Sequence, residues 1–108
     1  MSMREVIVKG KKLIFDEDGF LQNPEVWDED VAKYIAETAE GIKNMTEEHW
    51  KVVRYLRDYY LKYGIAPPIR MLTRATGFSL QKIYELFPSG PANGACKIAG
   101  LPKPTGCV

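Results

Sequence analysis

The first apolar positions of the chain alternate with polar ones over two short runs, residues 6–8 and 12–15. Alternation at period two marks a strand with one face buried. Lys9, Gly10 and Lys11 separate the runs, and glycine supplies the positive φ of a tight turn. A β-hairpin is expected, closed by Asp16, Glu17, Asp18 and Gly19. From Asn23 onward the period becomes helical. Asn23 reads as an N-cap with Pro24 at the first helical position. Trp27, Val31, Tyr34, Ile35 and Thr38 share one face, acids crowd the first turns, and Gly41 is placed to stop the helix. Thr46 caps a second helix, whose stripe of Trp50, Val53, Leu56, Tyr60 and Tyr63 ends before Gly64. Glu47/Lys51, Arg54/Asp58 and Asp58/Lys62 are opposite charges four apart on its solvated side. Trp50 and the tyrosines read as core, and His49 as a surface residue with no catalytic partner.

Pro67 and Pro68 open a third helix with Ile69, Leu72 and Ala75 as its apolar positions. Gly77 stops it, and Ser79 caps a fourth, short helix carrying Leu80, Ile83 and Leu86 before Pro88. Two short helices around a glycine turn form a helix-turn-helix-like pair, a shape that can read DNA. Residues 79–87 hold Lys82 and Glu85 and no arginine, so packing into a core is the better reading.

After residue 88 the texture changes. Residues 88–108 contain four prolines, four glycines and no acidic side chain. Residues 92–99 allow a helical turn or two, and Gly100 ends them. The expected architecture is mainly α (α+β): a helical bundle with an N-terminal β-hairpin and a helix-turn-helix-like pair. Residues 1–87 would form the hairpin and helical body, and residues 88–108 a mobile C-terminal arm, within a single domain.

Composition narrows the function. A chain of 108 residues supports one domain with a modest core. A formal net charge of +1 argues against general attraction to nucleic acid. Neither an apolar leader nor a run of ~20 apolar residues is present, which reads as a cytoplasmic chain. Both cysteines, Cys96 and Cys107, lie in the final segment, with ten residues between them. In a reducing compartment such a pair is more often redox-active, catalytic or metal-bound than a structural disulfide. One histidine and no closely spaced cysteine pair make a zinc site a poor reading. Cys107 stands one residue before the last, where side chains contribute little to a core, and its expected use is at the tip of a reaching arm.

The segment from Gly90 to Val108, with Cys96, Gly100, Pro102, Pro104, Gly106 and Cys107, resembles the C-terminal arm of the DsrC/TusE family of sulfur-relay proteins. The likeness extends upstream through Asp16–Phe20, Thr46–Trp50, Arg54–Arg57, Ala66–Pro68 and Leu86–Pro88, nearly the whole chain. Members with both cysteines are partners of dissimilatory sulfite reductase. Members with only the terminal cysteine pass sulfur toward tRNA thiolation. The resemblance implies a sulfur carrier or protein cosubstrate rather than a stand-alone enzyme. Cys107 would accept sulfur, and Cys96 would be the resolving thiol. No cofactor is implied in this chain, since the siroheme belongs to the reductase. A membrane-bound thiol-disulfide reductase would regenerate the dithiol, and other sulfurtransferases are further partners.

Elementary chemistry is compatible with that implication. The thiolate is the reactive form, and a free thiol titrates near ~8.5. Lys97 and Lys103 favour ionisation along the arm, whereas the terminal carboxylate opposes it at Cys107. The eleven steps from Cys96 to Cys107 span at most ~35–40 Å. Folding back to bond the two costs roughly 3 kcal/mol of chain entropy. A persulfide on Cys107 attacked by Cys96 would give a disulfide and sulfide, or the sulfur could stay bridged as a trisulfide. The residues leave both products open. Two other readings remain: a TusE-like relay for tRNA 2-thiouridine, which needs one thiol, and a DNA-binding regulator with the cysteine pair as redox sensor, which the weak basic character disfavours.

Overall fold

The computed structural model describes residues 3–103. Strands β1 (Arg4–Val8) and β2 (Lys11–Phe15) pair antiparallel, with Val6 opposite Leu13 and Val8 opposite Lys11. Lys9 and Gly10 both take positive φ, 49° and 81°. That is the pattern of a two-residue type I′ turn, whose twist matches that of the strands it joins. Leu13 and Phe15 point into the core, while Lys12 stays exposed. After β2, the Asp16 carboxylate accepts from the backbone of Asp18 and Phe20, both at 2.9 Å, and fixes the loop.

The first helix begins later than the Asn23–Pro24 signal suggests. Pro24–Val26 make one 3₁₀ turn, and α1 (Glu29–Glu40) starts at a second cap, Asp28, whose carboxylate accepts from Val31 at 2.9 Å. Asn23 cannot cap because its side chain is engaged by the hairpin. It accepts from Ile14 N–H at 3.0 Å and donates to the Lys12 carbonyl at 2.8 Å. Trp27 is left extended between the two pieces, and Val31, Ala32, Ile35 and Ala36 form the buried face of α1. Thr38, expected on that face, is exposed.

Helix α2 (Glu47–Tyr63) has the expected Thr46 cap and ends at Gly64 in left-handed conformation. Its buried face is Val52, Val53 and Leu56, flanked by half-buried Trp50 and Tyr60, while Tyr63 is exposed. The charges link elements: Arg54 pairs with Glu29 of α1 at 3.1 Å, and Lys82 with Glu48 at 3.1 Å. His49 is not a bare surface residue. Its Nδ1 accepts from Thr46 N–H at 3.1 Å and completes a capping box, which leaves Nε2 to donate to the Leu86 carbonyl at 3.0 Å. The ring also meets Phe87 edge-on at 5.2 Å.

Helices α3 (Ile69–Thr76) and α4 (Leu80–Leu86) join at Gly77 as expected, and Ser79 accepts from Lys82 N–H at 3.1 Å. Thr76 takes the buried position expected for Ala75, and its hydroxyl donates to the Leu72 carbonyl at 2.8 Å. The chain then makes a π-type turn, Pro91–Ala95, and a short helix α5, Cys96–Ile98.

Here the expected boundary moves. Packing does not end at residue 88: Pro91, Gly94, Ala95, Cys96, Ile98, Ala99, Gly100 and Leu101 are all buried. They pack against α1 and α2 and share one core cluster with Leu13 and Phe15 of β2. Glycine and alanine read as looseness in sequence, yet they are what permits close approach. A Cβ at Gly94 would stand 3.1 Å from both Phe87 Cβ and a Glu40 carboxylate oxygen. Residues 90–101 are mainly core, within a mainly helical fold that carries one small hairpin. Among the described residues no helix is long and apolar enough to cross a membrane.

Candidate functional site

Cys96 opens α5 and is fully buried. Among the described residues it is bonded to no other cysteine, and burial pushes its thiol up to about 12. A thiol in that setting is neutral at physiological pH and inert as a nucleophile. Cys107 lies outside the described residues.

The backbone after Cys96 is closed by a Schellman motif. Gly100 N–H donates to the Lys97 carbonyl at 3.0 Å and Leu101 N–H to the Cys96 carbonyl at 3.1 Å, with Gly100 at φ 75°. Two side chains grip this closure from outside. Trp27 Nε1 donates to the Ile98 carbonyl at 2.8 Å. Arg57 Nη1 donates to the Ala99 carbonyl at 3.4 Å, and its Nη2 to the Pro24 carbonyl at 2.8 Å. The guanidinium lies 4.8 Å from the Trp27 ring centroid and 5.9 Å from that of Tyr60. Burial lowers the Arg57 proton affinity, with Tyr60 opposing, but a guanidinium keeps its charge. The backbone is close enough to the indole that a Cβ at Gly100 would sit 2.4 Å from Trp27 Cδ1.

After Leu101, Pro102 and Lys103 are exposed. Lys103 Nζ reaches Asp18 at 2.6 Å, and this bond holds the Asp18 carboxyl below, and the Lys103 ammonium above, its ordinary range. Lys97 Nζ lies 5.2 Å from the centre of the Phe20 ring, beside a cleft of about 520 Å³ that Arg4, Asp16, Tyr34 and Thr38 also line.

Trp27 and Arg57 escaped the sequence reading as site residues. The helical period puts Trp27 on a helix that it in fact precedes. Arg57 carried a usable signal: it lies four after Val53 and three before Tyr60, so an arginine interrupts the apolar stripe of α2. A charge on a buried face needs a partner, and here the partners are two carbonyls.

A mainly helical body that fixes one cysteine and carries a second eleven residues on has the form of a small thiol carrier. The sequence matches the family described as "DsrC like protein" over residues 7–108. It is 54% identical over 106 residues to the gamma subunit of dissimilatory-type sulfite reductase from Nitratidesulfovibrio vulgaris strain Hildenborough, covering 98% of this chain and 100% of that one. It is 46% identical to sulfurtransferase TusE of Escherichia coli K12, covering 95% and 99% of the two chains. The solution structure of DsrC, the gamma subunit of dissimilatory sulfite reductase, from Pyrobaculum aerophilum superposes with a TM-score of 0.84 at 66% identity, covering 97% and 95%. The chain belongs to the DsrC/TusE family, whose members are sulfur carriers in relay systems.

Proposed function

We propose that this chain carries sulfur for dissimilatory sulfite reductase, with Cys107 as acceptor and Cys96 as resolving thiol. The observation that carries the reading is the presence of both thiols in a chain so similar, over almost its whole length, to a sulfite reductase gamma subunit. The fixed seat of Cys96 supports a division of labour, since one thiol is held within the body and the other is reached through the segment beyond it.

Cys96 ionises and attacks Cys107 Sγ of a Cys107 persulfide. The new Sγ–Sγ bond forms as the outer sulfur leaves as hydrosulfide, which takes up the proton from Cys96. Two thiols are oxidised to a disulfide while the sulfane sulfur is reduced to sulfide. A trisulfide keeps that sulfur as a bridge and requires it to arrive two electrons more oxidised. A membrane thiol-disulfide reductase then restores the dithiol.

The test is mass spectrometry of the carrier after turnover of a purified dissimilatory sulfite reductase. Cys107→Ser should abolish sulfur loading, and Cys96→Ser should leave a load on Cys107. Loading of Cys107→Ser at the wild-type level would overturn the assignment. The likeness to TusE gives the second reading, a relay toward tRNA thiolation. That reading needs one thiol, so a Cys96→Ser chain that still serves tRNA thiolation fully would favour it. DNA gains no support as a partner: Lys82, the one cation of α4, is engaged by Glu48.

A further inference from the structure

A resolving thiol must reach another sulfur as a thiolate, yet Cys96 is shut in the core. We propose that Trp27 and Arg57 are positioning residues that clamp residues 98–100 and keep Cys96 closed, and that Cys96 reacts only when this clamp releases and α5 opens locally. The meaning of the clamp for sulfur relay rests on the reading above. The opening itself is a property of this chain alone.

Four features support a local opening. Beside the apolar packing of Ile98, Ala99 and Leu101, the polar closing contacts are few and converge on one place: Trp27 on the Ile98 carbonyl, Arg57 on the Ala99 carbonyl, and the indole against Gly100. The segment has little structure of its own, since α5 spans only Cys96–Ile98 and follows a π-type turn. A helix so short has almost no intrinsic stability and depends on what packs against it. Trp27 itself lies in an extended link between two helical pieces, and such a residue can shift without unwinding either. Finally, the clamp uses a charge. Arg57 is partly desolvated when closed, and on opening water replaces the Ala99 carbonyl as its partner. That exchange costs only the net value of one hydrogen bond to a charged group, whereas an apolar residue would lose buried surface outright. The Lys103–Asp18 bond is exposed and screened by salt, so it contributes little to closure.

The experiment uses the full chain with Cys107→Ser, in which Cys96 is the sole thiol. Iodoacetamide labelling of Cys96 is followed against urea, next to global unfolding by circular dichroism. Local opening predicts slow labelling without denaturant, with a urea dependence much weaker than that of global unfolding. Arg57→Gln removes two charge-assisted donors, and Trp27→Phe removes one donor while keeping an aromatic ring. Both should raise labelling at zero urea: Arg57→Gln about tenfold, the effect of losing one hydrogen bond to a charged group, and Trp27→Phe about fivefold, that of losing a neutral one. Arg57→Lys should fall between them and the parent. Leu72→Val, in the core at α3, should lower global stability and leave zero-urea labelling unchanged. If labelling in every variant tracks global unfolding with the same urea slope, no local opening exists and the proposal is overturned. Labelling of the parent at the rate of an unfolded thiol would overturn it equally, because Cys96 would not be closed. A clamp that behaves as expected in a chain that takes no sulfur from the reductase would overturn the carrier reading and leave the clamp standing.

Discussion

Cys96 is where burial and chemistry meet most directly. Its folded value of about 12 stands above the ordinary value of 9.0, with desolvation as the cause. The folded state therefore holds the proton more tightly than the unfolded one. The stabilisation is fully present below pH ~9 and is lost as pH rises toward ~12. By pH 10 the loss is about 1.4 kcal/mol. Urea melts at pH 8 and pH 10 should show that loss in the parent and a smaller one in Cys96→Ala. Tyr55, which burial also pushes up, titrates in both chains and cancels. His49 sets a second test at this scale. Its ring closes the capping box of α2 and ties it to the last carbonyl of α4, so His49→Ala should cost about 1–2 kcal/mol in chemical denaturation.

Between elements, the glycine caps separate backbone strain from packing. Gly77 takes φ 76° with open space where a Cβ would go, whereas Gly100 takes φ 75° with the Trp27 ring in that space. Gly77→Ala should lower stability by about 1 kcal/mol, the cost of a left-handed alanine. Gly100→Ala should cost clearly more, about 3 kcal/mol, because the indole must also move. Thermal melts of the two variants compare them directly. Legibility in the sequence follows the same division. The hairpin and the caps at Thr46, Gly64, Gly77 and Ser79 were readable because each is set by residues within a few positions of itself. The start of α1 is not legible because Asn23, a good cap by type, is engaged by strand β2 from outside its own neighbourhood. The same non-locality hid the clamp, since Arg57 acts 42 residues from Ala99 and Trp27 acts 71 from Ile98.

For the molecule as a whole, the largest difference from sequence reading is that residues 91–101 supply the centre of the core. Ala95, Ile98 and Leu101 recur every three residues, a helical apolar signal that the surrounding glycines and prolines obscured. Ile98 and Leu101 alone contribute about 1.5–3 kcal/mol each by burial. Small domains hold only about 5–15 kcal/mol in total. Truncation after Pro91 should therefore abolish the cooperative thermal transition and leave a loosely packed helical state that binds hydrophobic dyes. A truncated chain that melts sharply near the wild-type temperature would show the segment to be dispensable.

The seat of Cys96 bears on how such carriers diversify. A neutral, buried thiol behaves as a small apolar group, much like the Ala95 and Ala99 beside it. Replacing it by alanine removes one atom from the core and leaves every backbone contact of α5 in place. The body has no architectural need of that sulfur. A two-thiol carrier and a one-thiol carrier are then neighbours in sequence space, one codon apart, and a lineage can pass between them in either direction without rebuilding its fold.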